Sequence, residues 1–129
     1  MGQEEFVPET MILISENEEV RDAVGEILTN GMFNCEIIDP ARPLPLHQKS
    51  ALEANKNPIV LDMQIEQKPS KALVRQVLKD TQLSRVIVIS HNAVQTASLS
   101  ERGFKFVVEH PMRGITLMSA IDECVGDDD

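Results

Sequence analysis

Three stretches of this chain are apolar at every position: Met11-Ile12-Leu13-Ile14, Ile59-Val60-Leu61 and Val86-Ile87-Val88-Ile89. A strand with one face in water alternates apolar and polar side chains, whereas a strand covered on both faces does not. The runs therefore predict buried strands of a parallel sheet packed between helices. Helical periodicity separates them. Val20, Ala23, Val24, Ile27 and Leu28 form one apolar face at i, i+3, i+4, i+7 and i+8. Leu117, Ala120, Ile121, Cys124 and Val125 repeat that spacing near the other end.

The remaining segments complete the alternation. Ser15 and Glu18 can form a capping box, with Asn17 as the rival cap, and Gly31 supplies a left-handed stop. Cys35 to Ile38 reads as a short strand ended by Asp39-Pro40. Prolines 43 and 45 exclude an ordinary helix interior, so the next helix is expected from about Pro45 to Asn55, with Pro45 in its first turn. Pro58 to Leu61 is the third strand, with Asp62 at its C-terminal end. Ser70 caps a helix whose face is Leu73, Val74, Val77 and Leu78. Arg85 to Ser90 is the fourth strand and Phe104 to Val108 the fifth. Asn92 to Arg102 between them has only Ala93, Val94, Ala97 and Leu99 to bury. Five strands alternating with about five helices predict an α/β fold: a doubly wound, five-stranded parallel sheet of flavodoxin-like (βα)5 type, order 2-1-3-4-5. One domain spans 10–126, and 1–9 and 127–129 are acidic, flexible ends.

Charge narrows the function. Lys and Arg number 12 against 21 Asp and Glu, a net charge of −9. That excludes the basic face needed to neutralise nucleic-acid phosphates and a polybasic membrane anchor. No run reaches the roughly 18 apolar residues of a membrane span. The opening MGQEEFVPET is acidic, unlike a secretory signal, and Phe6 stands where myristoylation wants Ser or Thr. Cys35 and Cys124 lie far apart without His or Cys at metal-ligand spacing. They are expected to be inert small hydrophobes, and the chain is expected to be soluble and cytoplasmic.

In such sheets chemistry collects at the carboxyl ends of the strands. The residues there are Ser15-Glu16, Asp62, Ser90 and His110-Pro111. In this arrangement the chain, from roughly Thr10 to Val125, resembles the receiver domain of two-component response regulators. The family has an acidic pair after strand one, a phosphoacceptor Asp after strand three, a Ser or Thr after strand four, and Lys-Pro after strand five. The resemblance implies that Asp62 accepts a phosphoryl group and Ser90 is the switch hydroxyl. His110 would stand at the lysine position, and a cis bond is expected at His110-Pro111. It implies Mg²⁺ held by Glu16, Asp62 and the backbone carbonyl of Gln64. It also implies a histidine kinase or phosphotransfer protein upstream and a protein partner downstream, and leaves room for a homodimer. Such a domain is regulatory rather than an enzyme, at most catalysing its own phosphotransfer and dephosphorylation.

The departures matter as much. Ser15 replaces one acid of the pair, which weakens a near-octahedral Mg²⁺ site. His110 offers less standing charge than lysine, and Lys105 lies in strand five, expected to point elsewhere. Val107 stands where the family often has an aromatic; Phe106, one residue earlier, would face the opposite side unless a bulge at Glu109 resets the register. His47 and His91 read as solvated surface residues. Ser15-Glu16-Asn17-Glu18-Glu19 would repel the phosphate of a flavin or dinucleotide. Two functions follow: an atypical phosphorelay receiver, or a pseudo-receiver that works by protein contact alone. The 129 residues hold no effector domain, so the chain acts by contact or is a fragment of something longer.

Overall fold

A computed structural model of the chain describes residues 9–39, 45–55, 57–63, 77, 79 and 83–126. Five strands form one parallel sheet: β1 (Thr10–Ile14), β2 (Asn34–Ile38), β3 (Ile59–Asp62), β4 (Val86–Ser90) and β5 (Phe106–Glu109), in the order β2-β1-β3-β4-β5. Four described helices connect them: α1 (Glu18–Asn30), α2 (Leu46–Ala54), α3 (Ala93–Glu101) and α4 (Gly114–Gly126), with a short 3-10 turn at Leu83–Arg85. The expected helix after Ser70, with its face of Leu73, Val74 and Leu78, lies outside the described residues. Val77 alone of that face is described, and it is buried.

The unbroken apolar runs are explained by two cores, one on each face of the sheet. Met11, Leu13, Val60, Ile87 and Ile89 point to one side, against Val20, Val24 and Leu28 of α1 and Leu117, Ile121 and Cys124 of α4. Ile12, Ile14, Ile59, Leu61, Val86 and Val88 point to the other, where Leu52 of α2 and Leu99 of α3 pack. Successive strand side chains alternate faces, and each face here meets a helix layer. Phe106 and Val108 join the first core, while Val107 packs against the second. β5 pairs with β4 in continuous register from Phe106 to Glu109. No bulge therefore intervenes, and Phe106 faces the α1 and α4 layer.

Two local expectations are corrected. Asn17, not Ser15, caps α1, its side-chain oxygen accepting from Val20 N–H at 3.2 Å. Ser15 is occupied elsewhere, as shown below. Replacing Asn17 with Ala is expected to destabilise the fold by about 1 kcal/mol, read by urea unfolding followed by far-ultraviolet circular dichroism. Gly31 does end α1, but in ordinary negative-φ backbone (φ −85°), and the positive φ belongs to Met32 (φ 69°). A Cβ there would sit 2.8 Å from Met118 Cε and 2.9 Å from its Sδ, the flexible end of a side chain on α4 that can turn aside.

The weakest apolar patterns give the least anchored helices. α2 begins directly after Pro45 and buries no side chain completely, and α3 fully buries only Leu99. Both cysteines are free. Cys124 is buried, its Sγ 3.0 Å from the carbonyl of Ser84. Cys35 is half-buried, and burial, reinforced by Glu36, pushes its thiol up from the usual range.

Candidate functional site

The sheet order places β3, β4 and β5 side by side. Asp62 is in register with Ile89, and Ser90 with Glu109, so the polar ends of three strands share one rim. Asp62 is fully buried (0% exposed) although it is a carboxylate. Such a group is costly unless hydrogen-bonded or paired, and both its oxygens are engaged. Ser15 donates its hydroxyl to Oδ2 at 2.8 Å. The Nε2 of His91 lies 2.7 Å from Oδ1. Ser15 in turn accepts from the N–H of Asn17 at 3.1 Å and donates its own N–H to the Ile38 carbonyl at 3.2 Å. The hydroxyl is thus fixed by the loop that starts α1.

Ser90 is also fully buried, but its hydroxyl faces another partner. Its Oγ is 2.5 Å from Thr96 Oγ1. Thr96 Oγ1 lies 3.0 Å from the Asn92 carbonyl and 3.1 Å from Glu109 Oε1, both acceptors. A hydroxyl has one proton to give, so Thr96 donates to one of these and Ser90 donates to Thr96. Ser90 is therefore tied into a chain running to β5, and the backbone of β5 answers it: His110 N–H donates to the Ser90 carbonyl at 2.8 Å. The His110-Pro111 bond is cis. The Nδ1 of His110 is shut off from solvent with no hydrogen-bond partner among the described residues, and its ring centroid lies 5.5 Å from that of His91, the planes at 55°.

A clamp holds the loop that carries His91. Asn92 caps α3, its Oδ1 accepting from Gln95 N–H at 2.7 Å. The side chain of Gln95 then turns back. Its Oε1 accepts from the His91 N–H at 2.7 Å, and its Nε2 reaches the Met63 carbonyl at 3.5 Å. One amide thus joins the exit of β4 to the exit of β3.

This arrangement does not fit Mg²⁺. Among the described residues no group of three or more His, Cys, Asp or Glu side chains is placed to hold a metal ion. Hard cations want several carboxylate or carbonyl oxygens, whereas Asp62 presents oxygens already taken by a hydroxyl and an imidazole. Glu16 is half-buried in the loop after Ser15, and Gln64 lies outside the described residues. Asp62 is fully buried in this arrangement, and a nucleophile needs an accessible lone pair.

Of the residues singled out from sequence, Asp62, Ser90 and His110 gather at one rim, as the strand order requires. Ser15, read as an acid lost, is an Asp62 partner gained. His91 is corrected outright. Expected on the surface, it is 19% exposed, and its imidazole is bonded to the buried acid. Gln95 and Thr96, unlike His91, carry no expectation from the sequence. Lys105 is exposed, with its ammonium 5.6 Å from the centre of the Phe106 ring, and His47 is exposed on α2 as expected.

No family model matches the chain, and no curated protein matches it. Solved structures do. A response regulator receiver domain protein from Clostridium thermocellum superposes with a TM-score of 0.69 at 14% identity, over 92% of this chain and 95% of that one. A response regulator receiver protein from Sinorhizobium medicae gives 0.66 at 20% identity, over 95% and 98%. Full-length FixJ from B. japonicum gives 0.67 at 15% identity, over 92% of this chain. The chain spans only 58% of FixJ's length. The fold is that of response-regulator receiver domains. No described helix is long and apolar enough to cross a membrane.

Proposed function

We propose that the chain is a receiver-type signalling module that works by protein contact, with Asp62 kept in an internal lock rather than presented to a phosphodonor. One observation carries this reading: the acid at the phosphoacceptor position is fully buried, with a hydroxyl on one oxygen and an imidazole on the other. Locked in this way, the carboxylate does for the loops after β1, β3 and β4 what a phosphoryl group and metal would otherwise do, holding them together through charge and hydrogen bonds. The hydroxyl of Ser90 is committed to Thr96 and supports the same reading. Under it the partners are proteins recognising a fixed surface, and the domain is regulatory rather than catalytic.

The second reading is phosphorelay: a histidine kinase or phosphotransfer protein loads Asp62, and Ser90 moves to meet the phosphoryl group. It is favoured by Asp62, Ser90 and a cis His110-Pro111 standing together on β3, β4 and β5. Amide NMR spectra separate the two. They are recorded with Mg²⁺ alone and then with beryllofluoride, an acyl-phosphate mimic, with Asp62→Asn as control. The absence of Trp and Tyr rules out the simpler intrinsic-fluorescence assay. The contact reading expects a well-dispersed spectrum that neither addition changes. Shifts that begin at Asp62, spread to Ser90 and Phe106, and vanish in Asp62→Asn would establish the phosphorelay reading instead.

A further inference from the structure

We infer that His91 is a gate on Asp62, held shut by Gln95, and that its position decides whether an anionic acyl-phosphate-like group can reach the acid. The inference rests on the receiver-type reading and adds to it the residue that controls access. Three observations carry it. First, the imidazole is bonded to the acid and reaches solvent while the acid does not: Asp62 is 0% exposed and His91, 2.7 Å from it, is 19% exposed. Second, the other oxygen of Asp62 is bonded to Ser15, which is itself fully buried, so of these two partners the imidazole is the one with any exposure. A group bonded to Oδ1 has to displace the His91 ring; a group bonded to Oδ2 has to displace a hydroxyl set by the backbone of α1's first turn.

Third, the gate has its own latch, separate from the acid. The His91 N–H is held at 2.7 Å by Gln95 Oε1, and the same Gln95 amide reaches Met63, the residue after Asp62. Gln95 lies in α3, a helix that fully buries only Leu99. Few buried apolar contacts mean low local stability, so movement of α3 costs little. Movement of its first turn draws Gln95 away, releases the His91 backbone and lets the ring swing out. A partner protein that grips the first turn of α3, where Val94 is 80% exposed, would open the site by the same route.

The test is a beryllofluoride titration in the presence of Mg²⁺ on the full chain, followed by amide NMR. It compares wild type, His91→Ala, which removes the gate, and Gln95→Ala, which removes the latch while leaving every Asp62 contact in place. A closed gate reduces apparent affinity by the fraction of molecules that are open, so removing it is expected to lower the midpoint roughly tenfold or more. Gln95→Ala is expected to fall between His91→Ala and wild type. If wild type is silent and both variants respond, the gate and the contact reading stand together. If wild type and both folded variants are all silent, the gate is overturned and the contact reading is untouched. A wild-type response removes the contact reading, and the gate is then judged alone: it stands if His91→Ala responds at the lower midpoint and falls if the two midpoints coincide. Should His91→Ala fail to fold, Gln95→Ala decides, since an unchanged midpoint in that variant overturns the latch.

Discussion

His91→Ala unfolds about 3 kcal/mol more easily than the wild type, because it strips one partner from a buried carboxylate and leaves the charge behind. The imidazole and Asp62 are 2.7 Å apart. For a domain of this length such a loss lowers the melting temperature by roughly 10 °C. The penalty belongs to the charge left with one partner fewer rather than to the ring. Asp62→Asn in the His91→Ala background therefore recovers most of it, since an amide buried beside Ser15 carries no charge to compensate. Thermal and urea melts of the four proteins in this cycle, followed by circular dichroism, give the coupling energy directly. Equal losses in both backgrounds would mean that His91 contributes packing only.

Leu13→Ala is the second large effect, again about 3 kcal/mol. Leu13 is fully buried in β1, paired on one side with Ile37 and on the other with Val60, and its side chain packs in the core between the sheet and α1 and α4. Truncation removes the transfer energy of the lost carbons and leaves a cavity in a layer closed by strands and helices that cannot collapse inward. Ile37→Ala, on the same rung of the sheet but 36% exposed at the edge strand, is expected to cost well under half as much. Comparable urea midpoints for the two variants would contradict the double-layer reading of the core.

The sheet was legible because β1, β3 and β4 have no polar interruption, and a strand without a polar side has nowhere to lie but between two layers. Strand order then brings Asp62, Ser90 and His110 to one rim. The hydrogen bonds at that rim were not legible. Ser15 reads as a missing acid when compared with a motif, yet a hydroxyl that cannot ligate a metal can still donate to a carboxylate. His91 reads as a surface residue because it follows a strand, in a loop, where most histidines are solvated. A signal was present: Asp62 is in register with Ile89, so a residue two positions beyond Ile89 emerges beside the acid. The backbone of His91 is held by Gln95, and such use of a glutamine amide has no sequence signature, whereas Asn92 before Ala93 is a recognisable helix cap. Gly31 shows the opposite case: it ends α1 as expected, but at a negative φ, so a left-handed backbone is not the reason.

The Asp62 pocket is made of residues far apart in the chain, Ser15 lying 47 positions before the acid and His91 29 positions after it. No local segment can form any part of it. Contacts of such separation incur loop-closure entropy before they return any binding energy, and they come late when a chain folds. The two hydrogen bonds to the carboxylate thus exist only once β1, β3 and β4 lie side by side. A side-chain resonance of His91 followed during refolding would accordingly report completion of the sheet, while the amides of α1 and α4 report its earlier helices.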